Sequence, residues 1–231
     1  MAKKRRPPPS ESSTPRGTAD DAFTARILEF VAWARHRAQV VVVASVLVVV
    51  LVVGGIVWYQ QRSERLDQAA QELEMVQQAA VFMEPAEAQA QIHEYLERFD
   101  GTPYAIEARL ILAELYLEEG DPGEAIQVLQ AVAPGFRSPL AVQATFLLAV
   151  AFEEAEAWSD AADTYQELQN RAQFTFQQRE ATEGLARVHL AISDRPAAIL
   201  AYETLLAELD EDHPQRARYE MRLAELRAQE L

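Results

Sequence analysis

Residues 105–132 read AIEARLILAELYLEEGDPGEAIQVLQAV, and the pattern returns at 141–168 (AVQATFLLAVAFEEAEAWSDAADTYQEL) and at 178–205 (QREATEGLARVHLAISDRPAAILAYETL). Leu112-Ala113 recurs as Leu148-Ala149 and Leu185-Ala186, and Ala125 recurs as Ala161 and Ala198, in steps of 36 and then 37 residues. The same steps carry Ala108 to Ala144 to Ala181, Tyr116 to Phe152 to His189, Leu129 to Tyr165 to Tyr202, and Val132 to Leu168 to Leu205. Alanine is abundant here, so one such coincidence means little. Seven columns obeying one pair of steps mean internal repetition.

Each unit divides into two helices. In the first, Ala105–Glu118 and Gly123–Val132 flank Gly120-Asp121-Pro122, with Asp121 expected to cap and Pro122 at the first helical position. The later turns are Ala157-Trp158-Ser159 and Ser193-Asp194-Arg195-Pro196. Between units, Thr102-Pro103, Ser138-Pro139 and Asp212-His213-Pro214 place a capping residue at or just before a helix-starting proline. A further unit precedes these: Ala88, Ile92 and Tyr95 lie 37 residues before Ala125, Leu129 and Val132, and Pro85 marks its break. Its first helix is expected from about residue 65 to 83. The units then run at about 65–102, 103–138, 139–174 and 175–212, closed by a capping helix within 213–231 whose exposed side is expected to carry Arg216, Arg218, Glu220, Arg222, Glu225 and Arg227.

These residues resemble the tetratricopeptide repeat, a helix pair of about 34 residues with small residues where the helices cross and large ones filling the gap. Ala113, Ala149 and Ala186 match its small column in the first helix, and Ala125, Ala161 and Ala198 the one in the second. Tyr116, Phe152, Leu129, Tyr165 and Tyr202 take the bulky columns. The family's early Trp is missing, its Gly is replaced by Ala and its closing Pro is displaced, so the repeats are divergent. The resemblance implies an all-α fold, a right-handed α-solenoid over residues 60–231.

Upstream, Val40–Tyr59 reads VVVVASVLVVVLVVGGIVWY, twenty residues without a charge. At about 1.5 Å per residue this helix spans about 30 Å, the thickness of a bilayer's hydrocarbon. A cleaved signal peptide fits poorly, because the apolar run is long, 39 residues precede it, and bulky Trp58-Tyr59 follow it. A transmembrane helix over 40–59 is expected, with Trp58 and Tyr59 at one interface and Arg35 and Arg37 at the other. Residues 1–39 carry eight Lys/Arg against four carboxylates, a net +4, which leaves −19 for the remainder of a chain of net charge −15. The positive-inside rule then puts the N-terminus in the cytoplasm and the acidic domain on the far side. Residues 1–19, with Pro7-Pro8-Pro9, are expected to form a disordered basic tail. Residues 20–39 are expected to form a juxtamembrane helix, either lying on the inner membrane surface or simply continuing the span.

A domain this acidic repels a phosphate backbone, so nucleic acid is excluded as its partner. There is no cysteine, and the four histidines lack metal-ligand spacing. Neither a zinc-protease, a nucleophile-elbow nor a phosphate-loop motif occurs, so no cofactor, metal or catalytic residue is expected and the chain reads as a non-enzyme. Asp210-Glu211-Asp212 lacks the spacing of a calcium loop and reads as a solvated helix end. His189, in a packing column, reads as a core histidine.

Helix-pair arrays present a concave wall made by the first helix of each unit. Glu107, Leu110, Glu114, Leu117, Gln143, Phe146, Val150, Glu153, Arg187 and Leu190 are expected on it. Apolar Leu110, Phe146 and Val150 ringed by carboxylates suit an extended or helical segment of some basic character; the alternative is that they pack against neighbouring helices or the last helix. The layout of residues 20–231 also resembles a bacterial family whose cytoplasmic stub and single span carry a periplasmic tetratricopeptide-like domain, its best-known member being the ancillary subunit of the Sec translocon. That resemblance implies a single-pass protein of the bacterial inner membrane, in contact with lipid and with protein partners: the secretion channel, emerging polypeptides or periplasmic chaperones. The alternative is a structural scaffold for another envelope complex.

Overall fold

The computed structural model describes Trp33, residues 37–133 and residues 135–228. The basic tail, nearly all of the juxtamembrane segment and the anchor residue Arg35 lie outside the described residues. Every regular element among the described residues is a helix. By its internal contacts the chain divides into two compact units, Met1–Arg62 and Ser63–Leu231.

In the first unit the described backbone is the start of helix α1 (Ala38–Phe82). Unpaired backbone groups cannot be satisfied by hydrocarbon, which forces a valine-rich run into helix there. Its apolar side chains face outward, from Val42 at 60% exposed to Tyr59 at 70%. Among the described residues one helix, this one, is long and apolar enough to cross a membrane. At the end of the apolar run the Arg62 guanidinium lies over the Trp58 ring, 5.5 Å from its centroid.

The second unit is an α-solenoid. The remainder of α1 buries Ala69, Leu73, Val76 and Ala79, spaced by four and three residues along one face, against Ala88, Ile92, Tyr95 and Phe99 of α2 (Pro85–Phe99). There follow α3 (Tyr104–Glu118) and α4 (Pro122–Gln130), α5 (Pro139–Glu154) and α6 (Trp158–Arg171), α7 (Thr175–Ala191) and α8 (Arg195–Ala207), and last α9 (Arg216–Ala228). The alanines of the repeat columns are fully buried: Ala108, Ala113, Ala125, Ala144, Ala149, Ala161, Ala181, Ala186 and Ala198 are all 0% exposed. A residue without side-chain bulk lets two helix axes approach, and Leu129, Tyr165 and Tyr202 fill the space beside them, each at most 5% exposed. The column Tyr116, Phe152, His189 is only half-buried.

The turn within each pair closes the same way three times. The amide of Asp121 donates to the Tyr116 carbonyl at 2.8 Å, that of Ala157 to Phe152 at 2.9 Å, and that of Asp194 to His189 at 2.8 Å. Such a cap needs the preceding residue in the left-handed region. Gly120 sits there at φ 80°, but 36 and 73 residues on the position is held by Glu156 (φ 56°) and Ser193 (φ 63°).

Helix caps depart in part from expectation. Ser138 Oγ accepts from the Ala141 amide and Asp194 Oδ1 from the Ala197 amide, both at 3.2 Å. Asp121 makes no side-chain cap bond, and Thr102 turns the other way, its hydroxyl donating to the Phe99 carbonyl at 2.8 Å. Pro103 already occupies the cap position of α3 with helical backbone, so Thr102 lies one residue too early. The charged side of α9 is not simply solvated: Arg216 Nη1 donates to the Leu206 and Leu209 carbonyls at 3.2 and 3.0 Å, and Arg218 pairs with Glu183 at 2.8 Å.

Candidate partner-binding surface

Helices α3, α5 and α7 are the first members of successive pairs. Five of the ten residues expected on their shared wall line one cleft of about 220 Å³: Glu114, Gln143, Phe146, Val150 and Arg187. Phe146 and Val150 are half-buried, each an apolar floor with one side still open. Glu107 lines a neighbouring cleft of about 390 Å³ with Glu114 and Glu118, and accepts a hydrogen bond from Gln77 Nε2 at 2.7 Å.

Leu110 is not on the wall. It is 4% exposed and packs with Ala113, Ala144 and Leu148, because the following first helix, α5, lies over it. Its counterpart one unit on is Phe146, whose longer side chain reaches the cleft. Leu117 and Leu190 are half-buried and pack against the cores of the α3–α5 and α7–α9 segments. Neither lines one of these clefts.

Glu153 and Arg187 are partners of each other rather than free rim charges. Arg187 donates from Nη2 and Nε to the two carboxylate oxygens of Glu153 at 2.7 and 3.1 Å. The Tyr165 hydroxyl donates to the same Glu153 Oε1 and accepts from Arg187 Nη2 at 2.9 Å. Burial pushes the Tyr165 hydroxyl well above the usual tyrosine range, with the Glu153 carboxylate adding to it. This trio ties α5, α6 and α7 together across a unit boundary. Glu114 differs: burial, and then Glu118 one turn away, raise its carboxyl pKa, and no ion pair to it is formed among the described residues.

The wall extends to residues that the repeat columns do not mark. Gln143 and Phe146 also line a cleft of about 310 Å³ with Phe176 and Glu180, which merges with a small one lined by Phe136 and Phe174. Phe174 and Phe176 are 54% and 60% exposed and stack with ring centroids 5.7 Å apart. Phe174 in a glutamine-rich inter-unit connection, with Phe176 in the first turn of α7, was a signal available in sequence, since an aromatic at a helix entry has no core column to fill.

The sequence profile of the tetratricopeptide repeat-like domain matches residues 32–228. The chain belongs to that family. Two crystal structures of nearly identical TPR-like repeats from a candidate kinesin light chain of Podosopora anserina, the second of them carrying a single substitution, resemble this tetratricopeptide repeat-like chain in fold. The first has 18% sequence identity and a TM-score of 0.55, covering 69% of this chain and 85% of that one. The substituted form has 19% identity and a TM-score of 0.56, covering 69% and 84%. No curated protein matches the sequence. A repeat fold of this kind is typically a non-catalytic scaffold for protein–protein interaction, and protein partners follow from it in general.

Proposed function

We propose that this tetratricopeptide repeat-like chain is a membrane-anchored interaction module of the bacterial inner membrane, with its N-terminus in the cytoplasm and its helix-pair domain in the periplasm. In this reading residues 1–19 are a basic tail, 20–39 a juxtamembrane helix, 40–59 the lipid-contacting span and 60–231 the domain that works outside. The charge asymmetry about the apolar run supports the orientation. The layout resembles the ancillary subunit of the Sec translocon, which supports a role beside the secretion channel, with emerging polypeptides or periplasmic chaperones as the segments bound. The observation that carries the binding role is the open cleft floored by Phe146 and Val150 and edged by Glu114 and Glu180.

The test is copurification from gently solubilised membranes, read by mass spectrometry, for the wild-type chain and Phe146→Ala. A half-exposed aromatic contributes more to an interface than to its own core. The variant is expected to keep its helical circular dichroism and lose the main partner, which is a secretion-channel or chaperone component. Recovery of cell-wall, outer-membrane or division proteins instead would make the chain a scaffold of another envelope complex. Undiminished recovery of the partner by a folded variant would remove the cleft from the interaction.

A further inference from the structure

The clefts along the wall are one trough. The cleft at the end of α1 and α3 shares Glu114 with the cleft between α3, α5 and α7. That one shares Gln143, Phe146 and Glu180 with the cleft between α5 and α7. This in turn shares Pro139, Val142 and Gln177 with the small cleft beneath Phe136 and Phe174. One step of about 10 Å between neighbouring helices, and then about 16 Å along α5 from Val150 to Pro139 at about 1.5 Å per residue, make a path of about 26 Å, the length of about eight extended residues.

The charge along that path runs in one direction. At the α1–α3 end the lining carboxylates are Glu107, Glu114 and Glu118. Glu107 is engaged by Gln77, which leaves Glu114 and Glu118, one turn apart, facing an apolar wall of Ala80, Val81 and Ile111. In the middle the charge of Arg187 is neutralised by Glu153. The cleft between α5 and α7 keeps only Glu180, and the small cleft beyond it has Arg137 and no carboxylate among its described lining. The outlying end is aromatic, with the exposed Phe174–Phe176 stack and Phe136, whose ring is covered on one face by Arg171 at 4.4 Å.

Resting on the reading of this wall as the partner site, we propose that its occupant is a linear polypeptide segment with basic residues at one end and aromatic or large aliphatic residues at the other, held in a single orientation. The Lys or Arg end lies on Glu114 and Glu118, and the apolar end lies on Phe174 and Phe176. Two close carboxylates in a partly dry cleft gain from a cation that relieves their repulsion, while an apolar anchor gains nothing there. At the other end exposed rings reward apolar contact, and the glutamines Gln143, Gln173 and Gln177 supply hydrogen bonds to the backbone of an extended chain without choosing a charge. A segment placed backwards sets its cations beside Arg137 and its rings among carboxylates. The charge gradient therefore selects direction as well as composition.

The probe is the peptide Lys-Lys-Lys-Ser-Gly-Ser-Gly-Ser-Phe-Leu-Phe, fluorescently labelled, titrated against the full chain in lipid nanodiscs. Glu114→Gln with Glu118→Gln is expected to weaken it about tenfold at low salt and to remove most of its salt dependence. Phe174→Ser with Phe176→Ser is expected to weaken it about tenfold and leave the salt dependence in place. All four residues are exposed, and unchanged circular dichroism accompanies each result. With a benzophenone in place of the last phenylalanine, photo-crosslinks are expected within residues 136–143 and 173–177. Crosslinks from that end to residues 77–81 or 107–118, crosslinks spread over both ends, or no binding of the peptide would overturn the proposal. If Phe146→Ala still abolishes copurification of the native partner, the wall remains the partner site and only its polarity falls; if Phe146→Ala leaves both partner and peptide binding intact, the underlying reading falls too.

Discussion

Glu156 and Ser193 occupy a backbone conformation that costs an L-residue roughly 1–2 kcal/mol, and Gly120 shows that the turn itself needs no side chain there. The greater freedom of glycine in the unfolded chain returns part of that difference. Glu156→Gly and Ser193→Gly should each stabilise the domain by about 0.5–1 kcal/mol, raising the thermal midpoint by roughly 1–4 °C, whereas Gly120→Ala should lower it. Differential scanning calorimetry of the three variants checks this, and a fall in midpoint for both glycine variants would refute it. Gly184 answers to the opposite demand. It stands in α7 where earlier first helices carry Ile111 and Leu147, and a Cβ built on it would come within 2.4 Å of the Tyr165 ring. That ring is pinned by Glu153 and Arg187, so it cannot retreat cheaply. Gly184→Ala should therefore lose about 1–2 kcal/mol despite a helix propensity gain of about 1 kcal/mol. Tyr165→Leu, which copies Leu129 in the same column, should reverse most of the loss in the double variant; additive losses in thermal melts would show that the two do not meet. In sequence Gly184 is merely a weak spot in a helix and Glu156 an ordinary surface residue, because neither ring clearance nor φ is written in residue type.

At the scale of helices, the period of 36 and 37 residues was legible because every unit must repeat the same close crossing, and only alanine columns allow it. Caps were legible at Ser138 and Asp194, but not at Asp121, which lies just as directly before its helix and makes no side-chain cap bond, nor at Thr102, whose place relative to the first turn is set by backbone geometry. Of the ten residues that helical spacing puts on the wall, five line one cleft. Helical spacing says that Leu110 and Phe146 are equivalent, but it does not say that α5 covers one while the other stays open. The α1–α2 pair shows how a buried polar group depends on pH. Tyr95 is 3% exposed and its hydroxyl donates to the Ala69 carbonyl at 2.9 Å. Burial first, and the Glu72 carboxylate second, push its pKa from 10.0 to about 12. A group whose pKa is raised by folding contributes stability that is complete below the unfolded value and is lost as pH rises through the folded one. Thermal stability should thus fall as pH climbs from about 10 to 12, and Tyr95→Phe, less stable at neutral pH for want of the hydrogen bond, should fall less steeply. Thermal melts across that window for both proteins would settle it, parallel curves being the adverse result.

For the whole molecule, the reading that matters most to function is which side of a membrane holds which charge. The first 39 residues carry a net +4 and the rest −19. In the proposed topology the eight basic residues set the orientation and the large acidic domain follows the span, because moving lysines and arginines across a bilayer is opposed during insertion whereas acidic residues contribute little. A protease added to intact spheroplasts is therefore expected to remove residues beyond about Arg62 and to spare an N-terminal fragment detectable by a tag at residue 1. Disrupting the membrane should expose that fragment as well. Compact helix pairs resist cleavage, so the first cuts should fall in inter-unit loops, among them Ala172–Phe174, where Gln173 and Phe174 are exposed between α6 and α7. A variant with Arg35, Arg37, Lys3, Lys4, Arg5 and Arg6 replaced by glutamine should lose this orientation bias and yield a protected C-terminal population. Full protection of the C-terminal domain in the unmodified chain would reverse the topology, and the trough with Phe146 at its centre would then face cytoplasmic rather than exported polypeptides.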